Sequence, residues 1–114
     1  MSKLPSYRLK VELPVGFLNR KAERQTVAEV RPVTGADEMY IGMSREYNEH
    51  PNDMVYKMLL VGRCTTQLGD ETVVTLSDVQ RLHARDIRAL EYAIYAITYG
   101  SDALPDEEDD EPGG

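Results

Sequence analysis

The sequence predicts an α+β fold, with an N-terminal antiparallel β-hairpin packed on about four α-helices and a disordered acidic tail behind them. Three observations predict it. Apolar residues alternate near the start of the chain, where Tyr7, Leu9, Val11 and Leu13 are separated by Arg8, Lys10 and Glu12. From Thr34 onward the spacing turns helical, with capping residues ahead of the apolar runs and Gly or Pro behind most of them. The end of the chain then turns acidic: residues 101–114 hold seven of the 20 Asp and Glu and none of the 13 Lys and Arg.

Alternation with period two reads as a half-buried strand. Pro14 is expected to end it, because proline cannot donate to a ladder. Residues 16–24 form a polar connection after Phe17 and Leu18, with Asn19 as a natural turn residue. A second strand follows over about residues 25–31, with Val27 and Val30 on opposite faces, so the hairpin covers about residues 7–31. A lone hairpin is marginal in water and must pack on something.

Thr34 offers an N-cap hydroxyl and Asp37 a carboxylate three positions on, which predicts a helix over about residues 35–48, stopped by His50-Pro51. Asn52 caps a second helix over about 53–68, with Gly69 as its stop. Met54, Met58, Val61, Thr65 and Leu68 form its apolar stripe, widened by Val55, Leu59 and Gly62. Thr75 and Asp78 repeat the cap before a short helix over about 76–82. Asp86 is then expected to cap the final helix, over about 87–99, which Gly100 stops. Residues 1–101 thus read as one domain. Residues 102–114 carry too little apolar surface to fold.

The final helix has two apolar faces. At roughly 100° per residue, Ile87, Leu90, Ile94 and Ile97 share one side, while Tyr92, Tyr95 and Tyr99 form a stripe on nearly the opposite side. One aliphatic face is enough to dock a helix on a small domain. The tyrosine stripe either closes the back of the core beneath the hairpin or faces a partner, since tyrosine joins a large apolar area to a polar tip. A second copy of the chain is among the partners it suits. Tyrosine also dominates the aromatic content, with seven residues against one Phe and no Trp.

Chemistry is sparse. His50 and His83 are the only histidines, and neither has ligand or triad spacing. Glu46, Glu49 and His50 read as a solvated helix end rather than a metal site, which usually needs four placed ligands. Cys64, the only cysteine, lies on an apolar helix beside Arg63 and reads as a buried structural thiol rather than a nucleophile. There is no phosphate-cradling glycine loop, and the acidic tail lacks the spacing of a calcium loop. The expectation is therefore no catalytic, cofactor-binding or metal-binding residue.

Residues 1–100 are electrically balanced, with 13 acids and 13 bases. That leaves no basic stripe for nucleic acid. The tail reads as a solubilising appendage, as a mask or steering element for an apolar site or, least of all, as a nucleic-acid mimic. A single cysteine, no signal-like run in residues 1–10 and no long apolar segment predict a soluble, cytoplasmic protein that makes no membrane contact.

Several segments, taken in order, resemble a known family. Leu9-Lys10-Val11-Glu12-Leu13-Pro14-Val15-Gly16-Phe17 resembles a strand ending in a Leu-Pro-x-Gly-aromatic motif. Val30-Arg31-Pro32-Val33-Thr34-Gly35-Ala36-Asp37-Glu38 resembles an Arg-Pro-Leu-Thr-Gly-x-Asp-Glu junction, and Leu59 to Gly69 a middle helix. Arg85-Asp86 through Ile97-Thr98-Tyr99-Gly100 resembles a closing Asp-Arg-x-x-Leu…Leu-Thr-Phe-Gly helix, with Tyr99 in place of the phenylalanine. The pattern, over about residues 7–101, is similar to the tail assembly chaperones of Mu-like phages and the baseplate hub assembly chaperones of contractile tails. The resemblance implies a non-enzymatic factor that binds a tape-measure or hub protein during tail assembly, in the host cytoplasm. The alternative is a minor structural component of the finished tail or baseplate. The residues expected to make the contact are Tyr92, Tyr95, Tyr99 and Ile94 of the final helix, with Thr34 and Asp37 at the junction.

Overall fold

A computed structural model describes residues 8–100. Tyr7 and the acidic stretch 102–114, expected to be disordered, lie outside the described residues. Strands β1 (Leu9–Leu18) and β2 (Arg24–Val30) form the predicted antiparallel hairpin. Pairing runs from Leu9↔Val30 to Glu12↔Val27, slips, and resumes at Phe17↔Gln25. Pro14 therefore does not end the strand. The ladder bulges around it instead, and Gly16, at φ 87°, supplies the left-handed backbone that the bulge uses. The turn is held by Asn19, whose side-chain oxygen accepts from the N–H groups of Lys21 and Glu23. β1 points Val11 and Leu13 inward and Lys10 and Glu12 outward, while β2 buries Ala28 and Val30.

The helix expected over 35–48 is two helices, α1 (Gly35–Gly42) and α2 (Arg45–Glu49). Thr34 and Asp37 make the predicted capping box at the start of α1. Ser44 then opens a new helix, its hydroxyl accepting from the Tyr47 N–H. Helix α3 (Asp53–Cys64) begins, as predicted, at an Asn52 cap.

It ends at Cys64, short of the predicted residue 68. Thr65–Leu68 is a strand, β3, antiparallel to β2, giving a three-stranded sheet in the order β1-β2-β3. Two β-branched threonines favour the extended backbone. The free edge of β2 rewards it: Arg31 N–H donates to Cys64 C=O, and Gly69 N–H to Val27 C=O. Met54, placed on the predicted apolar stripe of this segment, is 56% exposed.

Helix α4 (Leu76–Gln80) has the predicted Thr75–Asp78 capping box but is shorter than expected. The final helix, α5 (Ala84–Tyr99), starts earlier than Asp86 would place it, capped by His83, whose Nδ1 accepts from the Arg85 N–H. The core joins Val11, Leu13, Ala28 and Val30 of the sheet to Ile87, Leu90, Ala93 and Ile94 of α5. Val61 and Cys64 of α3, Leu68 of β3, Val79 of α4 and Leu82 just after it complete it.

Candidate protein-docking groove between α3 and α5

The aliphatic face of α5 is spent on the core. Ile87, Leu90 and Ile94 are buried, and the helix lies against β1. The same 100° step that turns these side chains inward turns the tyrosines out. Tyr92, Tyr95 and Tyr99 are 67%, 48% and 53% exposed. They do not close the back of the core beneath the hairpin.

Opposite them stands α3. Tyr56, Lys57, Leu60 and Val61 face α5 across a groove of about 440 Å³. Val33, Leu60, Val61 and Ile94 make an aliphatic floor, and Tyr56 joins the three α5 tyrosines in the walls. The rim is charged and balanced, with Glu38 and Glu91 against Lys57 and Arg88. Arg88 and Glu91 pair with each other at 2.9 Å.

Local contacts hold these walls in place. The Tyr95 and Tyr99 rings, one helical turn apart, lie 4.8 Å centre to centre. Tyr56 meets the edge of Tyr47 at 6.1 Å. Burial, aided by the charge of Glu38, raises the Tyr56 hydroxyl above its ordinary pKa. The Val33 N–H donates to Thr98 Oγ1 at 3.0 Å, which ties the loop before α1 to the end of α5.

The other expected contact residues are placed differently. Ile94 is 2% exposed and serves as floor rather than as a projecting contact. Thr34 and Asp37 do not line the groove. Asp37 is 1% exposed, and its carboxylate accepts from Arg31 at 2.8 and 2.9 Å, from Arg63 Nε at 3.1 Å and from the Thr34 N–H at 2.8 Å. It is an internal clamp with no face for a partner. The Arg31 hydrogen bonds hold its pKa well below the usual carboxylate range, against the opposing effect of burial. Arg63 in turn lies 4.2 Å from the Tyr40 ring centre.

Cys64 is fully buried, and its thiol is pushed up to about 11, first by desolvation and then by the Asp37 charge. A thiol in that state is a poor nucleophile. Among the described residues no three His, Cys, Asp or Glu side chains gather as a metal ion would need, and no helix is long and apolar enough to cross a membrane.

The α3 half of the groove was not foreseen from the sequence. Its signal is there: Tyr56, Lys57 and Leu60 follow helical spacing, on a flank beside the stripe read as core. No protein-family model matches the chain, and neither a curated protein nor a solved structure is detectably similar to it.

Proposed function

We propose that this protein is a non-enzymatic assembly chaperone that receives an apolar helical segment of a partner protein in the groove between α3 and α5. The observation that carries this reading is the row of half-exposed tyrosines, Tyr92, Tyr95 and Tyr99, standing over an aliphatic floor. An amphipathic helix anchors in such a groove through side chains at i, i+3, i+4 and i+7. Tyrosine hydroxyls keep the walls wettable while the groove is empty. The buried titratable side chains Asp37, Asp86 and Cys64 are all engaged in holding the fold, which favours binding over catalysis.

The sequence resemblance suggests the client: a tape-measure or baseplate hub protein of a phage-type contractile tail, which carries long apolar helices. Finding a gene for such a protein beside the gene for this chain would support that assignment. The direct test is co-expression of the chain with that protein, followed by affinity capture. The wild-type chain is expected to hold the client soluble, and the combined variant Y92A/Y95A/Y99A to release it while remaining folded. Undiminished capture by that variant sinks the groove as the binding site. A stoichiometric amount of the chain in finished tails assigns it a permanent structural role instead of a transient one.

A further inference from the structure

The sheet presents a second surface at its edge opposite β3. β1 is an edge strand: β2 flanks it on one side, and among the described residues no strand flanks it on the other. The two halves of this edge differ. At Val15 and Gly16 the N–H groups are taken by the Asp86 carboxylate, both at 2.8 Å. From residue 9 to residue 12 the ladder is regular and, among the described residues, pairs with β2 alone. Every other residue of such a stretch turns its N–H and C=O outward, which makes it a template for another strand.

We propose that the chain pairs with a second copy of itself along this edge, antiparallel, about a two-fold axis at Val11. That register sets Lys10 opposite Glu12 of the second copy, and Glu12 opposite its Lys10. Both side chains are exposed on the outer face of β1. The neighbouring registers fail on charge. An axis at Lys10 opposes Lys10 to itself, and an axis at Glu12 opposes Glu12 to itself, and like charges directly opposite are destabilising.

A lone edge lysine discourages pairing. A Lys-x-Glu triplet centred on a two-fold is self-complementary, as an isologous interface requires. Leu9 points to the same side as Val11 and Leu13, which are 8% and 3% exposed, yet Leu9 is 40% exposed. In this register it lies beside Leu13 of the second copy and is covered. No residue of β1 lines the α3–α5 groove, so the pairing does not depend on what the groove binds.

Sedimentation equilibrium at low salt, where the ion pairs are least screened, tests this. The wild-type chain is expected to dimerise. K10E and E12K are each expected to weaken the dimer by about tenfold or more, since each opposes like charges at two symmetric sites. The double variant K10E/E12K restores complementarity and the dimer. Mixing the two single variants gives a heterodimer, because their charges again oppose in sign. Both positions are exposed, and circular dichroism confirms that each variant is folded. The proposal fails if the wild-type chain is still monomeric at about 1 mM. It also fails if the single variants dimerise as the wild type does, or if neither the double variant nor the mixture recovers. A wild-type dimer lost only in Y92A/Y95A/Y99A places the contact in the groove and overturns it as well.

Discussion

Asp86 and Asp37 are both fully or almost fully buried, and each carboxylate joins segments distant in the chain. Asp86 accepts the two N–H groups that the β1 bulge turns out, fixing the hairpin to the start of α5. Asp86→Ala leaves both donors without their acceptor and is expected to cost on the order of 2–4 kcal/mol of unfolding free energy in urea denaturation. Asp86→Asn keeps one carbonyl acceptor and should lose less. A loss under about 1 kcal/mol for the alanine variant would mean that water replaces the carboxylate at the bulge. Asp37 makes a pH prediction. Its folded pKa lies below the unfolded value, so its stabilisation is complete above roughly pH 4–5 and is lost as pH falls from there toward the folded value. Asp37→Asn should cost about 3 kcal/mol at pH 7, the lower end for a broken pair because Arg31 and Arg63 keep some solvent, and should flatten the acid arm of the stability curve. An unchanged acid arm refutes that role. The cap formed by Thr34 and Asp37 was legible from spacing alone. The two arginines were not, because Arg31 and Arg63 approach only once the sheet and α3 are in place. Asp86 misled for the same reason: its position near a helix start suits a cap, but the bulge N–H groups are the stronger claim on it.

Elements were legible where local signals agreed with tertiary demand, as in the hairpin, the Asn52 start of α3 and the Thr75–Asp78 box before α4. They failed where the two diverged. The α3 pattern keeps its helical period through Thr65 and Leu68, so periodicity alone carries the helix too far. The chain turns extended because the outer edge of β2 needs a partner, a demand set by residues far upstream. Ser44 is a readable cap for α2, but Met43 and Tyr47, four residues apart, keep helical spacing across the break and mask it in the sequence. Gly69 controls the end of β3. It sits at φ 60°, its N–H donates to Val27, and a Cβ there would approach the Gln25 Cβ to 2.7 Å. Gly69→Ala is therefore expected to cost on the order of 1–3 kcal/mol. Amide hydrogen exchange should show the loss concentrated in Thr65–Leu68 and its β2 neighbours rather than in α5. Uniform loss of protection instead would mean that β3 does not open as a unit separate from the rest of the domain.

At the scale of the molecule, α5 has one face that folds the protein and another left exposed, the face proposed above for binding. Leu90 on one face is fully buried, whereas Tyr92, only two residues on, is 67% exposed. The two faces were legible from the helical spacing, but their assignment was not, because it depends on which side of α5 the hairpin occupies. The division predicts that stability and apolar binding respond to different substitutions. Leu90→Ala removes side-chain volume from the centre of the core and should cost about 2–5 kcal/mol, read as a fall in the urea midpoint. The combined variant Y92A/Y95A/Y99A gives up only partly buried area and one ring contact of about 0.5–1.5 kcal/mol, so its midpoint should fall much less. An environment-sensitive apolar dye supplies the second readout. The native wild-type chain should bind it saturably in the groove, the tyrosine variant should lose that signal at unchanged circular dichroism, and Leu90→Ala should retain it below its unfolding transition. The reverse pattern, with the tyrosine variant as unstable as Leu90→Ala and dye binding intact, would return the tyrosines to the core and leave α5 with a single working face.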